Sequence, residues 1–162
     1  MTKKDQLTHL DQRGRARMVD VGDKDRSIRE ARARATLRME PETRRILLSG
    51  QTPKGDALAT ARIAGIQGAK RTADLIPLCH PLAITGCDLT IEPALEEDRL
   101  IIEASVRCAE RTGVEMEALT AVTVAALTLY DMLKAVDRGM AIEEVVLMEK
   151  RGGRSGHYRR EV

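Results

Sequence analysis

Two places in this chain hold residue types and spacings that could do chemistry. In the run LIPLCHPL at residues 75–82, Cys79 and His80 sit between Pro77 and Pro81 in an otherwise apolar stretch. Proline fixes φ and donates no backbone hydrogen bond, so the two prolines should end the preceding helix and hold the imidazole in a rigid connection. Such rigidity suits a binding site, and it equally suits a satisfied, half-buried histidine at a loop corner. Further on, Asp131 and Lys134 follow an uncharged stretch, residues 118–130. Three apart on a helix, they share a face. A carboxylate and an amine at the end of a buried helix perturb each other's pKa and can serve as general base and acid. The same spacing also describes a surface ion pair with its lysine near the negative end of the helix dipole.

Between these two places lies RTGVEME at residues 111–117. Gly113 and the free amides of the first helical turn could hold a phosphate, whereas Glu115 and Glu117 would repel one. The two acids suit hydrogen bonding to the polar edge of a base, or simple complementation of the helix dipole. Lys54 and Lys70 add cations, as does KRGGR at residues 150–154, which lacks the Gly-Lys-Ser/Thr of a Walker loop.

Composition narrows the function classes. The 27 Lys and Arg residues against 25 acids leave a net charge of +2, no global pull toward nucleic acid, although basic residues cluster at 13–17, 26–38, 70–71 and 150–160. Two tyrosines and no Phe or Trp offer no stacking platform for single strands, so no nucleic-acid partner is expected. Three cysteines, Cys79, Cys87 and Cys108, lie outside any CxxC spacing, which argues against a disulfide framework and a zinc site. A metal-dependent hydrolase built on His80 is disfavoured by the lack of an HxH or HExxH spacing, so neither metal nor cofactor is expected. The start MTKKD carries no apolar h-region and no stretch is expected to span a membrane, which together point to a cytoplasmic protein.

The elements that must position these residues fit one domain of 162 residues, 43% of them apolar. Residues 1–17 are polar and charged, an expected flexible arm or short helix. Arginine alternating with small residues over 29–39 has the period of a strand with one solvated face. Pro41 opens a short helix through Leu48, stopped at Gly50, and residues 56–74 form a longer helix rich in Ala and Gly. Two strands, 84–92 and 99–110, flank an acidic turn. Residues 115–136 form the strongest helix, 142–148 a last strand, and 152–156 begin a flexible basic tail, with 157–162 beyond the domain. The order strand, helices, strand, strand, helix, strand is the split βαβ of the ferredoxin-like α+β class, a four-stranded antiparallel sheet packed on helices. More apolar and small surface remains than one such layer covers, so a homo-oligomer is expected.

Taken together, MVDV at 18–21, KGDALATARIAGIQGAKR at 54–71, LCHPL at 78–82, TGVEMEALT at 112–120, YDMLKA at 130–135 and GGRSG at 152–156 closely resemble the cyclic pyranopterin monophosphate synthase family, the protein C family of molybdenum cofactor biosynthesis. The resemblance covers residues 18–156 with order and spacing intact. It implies a pyrophosphate-releasing lyase acting on a cyclised dihydro-GTP, a nucleotide-derived triphosphate. It also implies a homohexamer, a trimer of dimers with each site between subunits. The family's catalytic aspartate falls on Asp131 and its partner lysine on Lys134. Its substrate-binding positions fall on Lys54, Lys70, His80, Arg111, Glu115, Met116 and Glu117, with Leu78 and Cys79 beside the histidine. Glu110 beside Arg111 and Ala73 before Asp74 depart from the family's pattern. The rival class is a non-catalytic ferredoxin-like module that binds an anionic nucleotide without consuming it.

Overall fold

The structure, a computed structural model, describes residues 10–11, 13–96 and 98–161. Its central strand is β1 (Ser27–Arg38), whose period-two pattern buries Ala31, Ala33, Ala35 and Leu37 and turns Arg32, Arg34 and Arg38 outward. β1 pairs antiparallel with β3 (Arg99–Glu110) on one side and β4 (Ala141–Arg151) on the other, and β2 (Ile84–Pro93) adds to β3. On the outward face the register sets Arg34 opposite Glu103, and the guanidinium donates to that carboxylate at 2.9 and 2.7 Å. Such cross-strand pairs make an arginine-rich face compatible with a sheet.

The opposite face carries two helices. α2 (Ala57–Lys70) begins at Asp56, whose side chain accepts from the Ala59 amide at 2.9 Å. α4 (Glu115–Leu133) packs against α2 and the sheet and buries Ala118, Ala121, Val122, Ala125, Ala126 and Leu129. The glycines of α2 lower its intrinsic helicity but admit this neighbour. A Cβ at Gly65 would collide with Leu89 and the Ala121 carbonyl, and one at Gly68 would press on Val124 at 2.8 Å.

The expected ferredoxin-like α+β class is what the chain adopts, with one strand more than expected. The sheet order is β2-β3-β1-β4-β5, in which β5 (Tyr158–Arg159) lines up on β4. The segment expected as a flexible tail therefore returns as a hairpin, because the outer edge of β4 offers unpaired backbone groups: the Arg160 amide donates to the Met148 carbonyl at 2.8 Å. The helix expected over 56–74 breaks at Arg71 into α2 and α3 (Thr72–Leu75); the Thr72 hydroxyl donates to the Ala69 carbonyl at 3.0 Å across the break. α1 (Pro41–Leu48) stands as expected. α4 ends at Leu133 rather than 136, since the buried Asp137 carboxylate accepts from the Glu40 amide at 2.9 Å and draws the chain toward α1.

By length and composition α4 is apolar enough to cross a membrane, contrary to the expectation that no stretch would be, and its packing between sheet and α2 accounts for that apolarity. The expected arm lies outside the described residues over 1–9 and at 12; within the remainder, Leu10 and Ala16 form an isolated antiparallel bridge.

Candidate active site

Two adjoining clefts open near the N-terminal end of α4. The larger, of about 580 Å³, is lined by the start of β1 (Ser27, Arg29, Glu30), the turn before α4 (Arg111, Thr112, Gly113, Glu115), the end of β4 and the hairpin loop (Lys150 to Ser155), with Lys24 and Asp25 at its side. Six cationic side chains, Lys24, Arg29, Arg111, Lys150, Arg151 and Arg154, face three carboxylates there. The excess favours an anion.

Arg111 is held by both ends of its neighbourhood. Its Nη1 donates to the Gly22 carbonyl at 2.6 Å, while Arg29 donates to the Arg111 and Glu110 carbonyls at 3.2 and 3.3 Å. Its Nε is buried without a partner. A buried, unpaired N–H on a permanent cation is costly and is relieved when an oxyanion takes the guanidinium fork.

The second cleft, of about 380 Å³, is lined by Val19, Val21, Leu78, Cys79, His80, Leu82, Met116 and Glu117, and shares Lys24, Thr112, Gly113 and Glu115 with the first. Here the two prolines act as expected: α3 stops at Leu75, and the chain runs on without regular structure to place His80. His80 Nε2 donates to the Val19 carbonyl at 2.7 Å. Because a carbonyl only accepts, the contact fixes a proton on Nε2 and leaves Nδ1 as the other working nitrogen.

Glu117, only 4% exposed, is the chemically distinctive group of this cleft. Burial, seconded by the charge of Glu115 and opposed by a hydrogen bond from its own amide, pushes its carboxyl up to about 7. A carboxyl near 7 can give or take a proton at neutral pH. The Cys79 thiol is pushed up as well, first by burial and then by Glu117.

The remaining residues expected in the site gather elsewhere. Asp131 lies in the last turn of α4, where its carboxylate accepts from Lys134 Nζ and Lys54 Nζ, each at 2.8 Å. These hydrogen bonds, that from Lys134 the stronger influence, hold its carboxyl down to about 2. The same contact raises the pKa of Lys134. Along the helix axis Asp131 stands about 21 Å from Glu117 at 1.5 Å per residue, so in one chain the lysine–aspartate trio and the two clefts are separate. Lys70 is exposed at the end of α2 and lines neither cleft.

Sequence reasoning placed His80, Leu78, Cys79, Arg111, Glu115, Met116 and Glu117 together, and they do converge. It noted Lys150 and Arg154 only as part of the cationic KRGGR run and Arg29 only as part of the basic cluster at 26–38, and it did not single out Lys24. Among the described residues, no three His, Cys, Asp or Glu side chains gather to hold a metal ion.

The family model described as the MoaC family matches residues 18–153. A protein named cyclic pyranopterin monophosphate synthase from Thermomicrobium roseum is 58% identical over 156 residues, 96% of this chain and 94% of that protein. Proteins of the same name from Herpetosiphon aurantiacus and Chloroflexus aurantiacus are 59% and 57% identical, over 94% and 96% of this chain and 93% and 95% of their own lengths. With the family model matching residues 18–153 and relatives near 58% identity over nearly the whole chain, the chain belongs to the MoaC family.

Proposed function

We propose that this chain converts (8S)-3′,8-cyclo-7,8-dihydroguanosine 5′-triphosphate to cyclic pyranopterin monophosphate, the product in the name of its relatives, with release of pyrophosphate. One observation carries the reading: a cleft dominated by cations is joined, through Lys24, Thr112, Gly113 and Glu115, to a cleft lined by carboxylates, a histidine and apolar side chains. The first suits a triphosphate. The second suits a polar heterocycle whose N–H groups need acceptors and whose faces need apolar cover.

Closing a cyclic phosphate means that a hydroxyl oxygen of the substrate bonds to the α-phosphorus as the bond from that phosphorus to the bridging oxygen breaks. The electron pair leaves on pyrophosphate, and the proton of the hydroxyl passes to a base. Lys24, Arg29, Arg111, Lys150 and Arg154 are assigned to the phosphoryl oxygens, where charge develops, and His80, Glu115, Met116 and Glu117 to the ring.

Asp131 and Lys134 are assigned the proton transfers of ring opening and closure, with Lys54 beside them. Between two ammonium groups Asp131 is an anion throughout the physiological range and a weak base. An arriving phosphate that draws either lysine away would raise its basicity. Since the trio stands far along α4 from the clefts, a working site must combine the clefts of one chain with the trio of a second. We propose with it the assembly that the family resemblance implies, a cytoplasmic homohexamer built as a trimer of dimers, with Lys70 reaching a neighbour's site.

The test is incubation of the purified chain with the cyclised dihydro-GTP, followed by detection of the cyclic monophosphate and of pyrophosphate in equal amounts. Binding without consumption would replace this reading with that of a non-catalytic nucleotide-binding module.

A further inference from the structure

The hairpin loop after β4 supplies Gly152, Gly153, Arg154 and Ser155 to the basic cleft, and within it the Gly156 amide donates to the Gly153 carbonyl at 3.3 Å while Lys150 Nζ donates to Ser155 Oγ. Both glycines have positive φ, 89° and 78°, and lie directly on β1. A Cβ at Gly152 would collide with the Ile28 carbonyl and one at Gly153 with the Arg29 guanidinium, so the loop backbone is seated against the floor of the cleft. A seated loop of this kind needs an anchor on its far side.

That anchor is His157. Its Nε2 donates to Glu149 Oε1 at 2.7 Å, bridging the two stems of the hairpin one residue beyond the loop. Glu149 is 9% exposed, and Arg151 donates to the same oxygen through Nε at 2.9 Å and Nη2 at 2.8 Å. Arg151 itself lines the cleft. Glu149 therefore ties a cleft arginine and the returning strand to one mostly buried carboxylate, and its cationic partners hold its pKa below the usual range. A carboxylate this far out of water is retained only where its partners stay in place. The match to the family model ends at residue 153, so Glu149 lies within it and His157 beyond it.

We propose that His157 is a positioning residue for anion binding: by latching to Glu149 it closes the β4–β5 hairpin and holds the loop at 152–156 against the cleft that takes the phosphate chain of the substrate. It touches no reacting atom. The inference rests on the assignment of the larger cleft to phosphoryl groups and adds the C-terminal strand to what sets affinity there.

The experiment compares the full chain with His157→Ala and His157→Gln, using inorganic pyrophosphate as the probe in calorimetric titration and the cyclised dihydro-GTP in steady-state kinetics. His157→Ala loses the donor; His157→Gln keeps an N–H donor of similar reach. Loss of one hydrogen bond to a charged acceptor predicts that His157→Ala weakens pyrophosphate binding by about tenfold and raises KM to the same extent, with kcat unchanged. His157→Gln should recover most of that affinity. The imidazole is half exposed, so thermal midpoints should stay together. Wild-type affinity for pyrophosphate in His157→Ala would overturn the latch alone. A wild-type chain indifferent to pyrophosphate would overturn the assignment of the cleft, and the latch with it. A fall in kcat at constant KM would overturn a positioning role in binding.

Discussion

Burial of Glu117 makes a quantitative claim about stability. Its folded-state pKa of about 7 stands above the ordinary glutamate value of 4.5. Between those pH values the folded chain keeps a proton that the unfolded chain has given up, so stability is greatest below about 4.5, falls as pH rises through the window, and levels off above about 7. At about 1.4 kcal/mol per pH unit, the ceiling is about 3.5 kcal/mol. The carboxyl opens onto a solvent-filled cleft, which screens the penalty to about 1–2 kcal/mol. Glu117→Gln keeps the shape and removes the ionisation. At pH 8 the variant should melt about 2–8 °C above wild type at equal protein concentration. At pH 4.5 the advantage should shrink to near zero. Differential scanning calorimetry of both proteins at several pH values between 4.5 and 8 is the assay. An offset that stays the same at every pH would refute the claim that ionisation of a buried carboxyl is its source, and a variant equally stable at pH 8 would do so as well.

Other outcomes bear on the site. Asp131→Asn and Lys134→Met should each lose most single-turnover activity while retaining substrate affinity and assembly, and an active Asp131→Asn protein would end the acid–base assignment. Arg111→Ala should weaken substrate binding ten- to about a hundredfold through loss of a charge-assisted fork, whereas Arg13→Ala, far from both clefts, should leave it unchanged; equal effects in equilibrium titrations would count against the anion cleft. If the clefts of one chain work with the trio of another, mixing inactive Asp131→Asn with weakly binding Arg111→Ala after dissociation and reassembly, at substrate too dilute to fill the Arg111→Ala cleft, should restore about a quarter of wild-type activity. No recovery, in a mixture shown by mass spectrometry to have exchanged subunits, would place the whole site within one chain.

Much of the fold was legible because it rests on local periodicity. The alternation of Arg and Ala in β1, the uncharged run of α4 and the prolines around His80 each dictate a backbone state from neighbouring residues alone, and the structure reproduces their bounds within a few residues. Half of the second cleft was legible for a related reason: six of its lining residues come from two short segments, 78–80 and 115–117. The break at Arg71, the early stop of α4 and the return of the tail as β5 depend on partners far along the chain, namely the packed neighbours of α2, the Glu40 amide and the open edge of β4. No window of sequence contains those partners.

The amino-acid sequence by itself determined the elements, the class of fold, and which residues were chemically suited to a site. Only the tertiary structure decided the electrostatics. Glu117 reads as one more acid in a first helical turn, and burial, seconded by the charge of Glu115, pushes its carboxyl up to about 7. Asp131 and Lys134 read as a local pair, and Lys54, 77 residues away, turns that pair into a trio that holds the carboxyl down to about 2. Lys24, Arg29, Lys150 and Arg154 read as solvated charges until the sheet brings the start of β1, the end of β4 and the turn before α4 to one edge. The physical reason is common to all three cases. Secondary structure follows from interactions within a few residues, whereas desolvation and Coulomb energy depend on distance in space, and that distance exists only once the chain has folded.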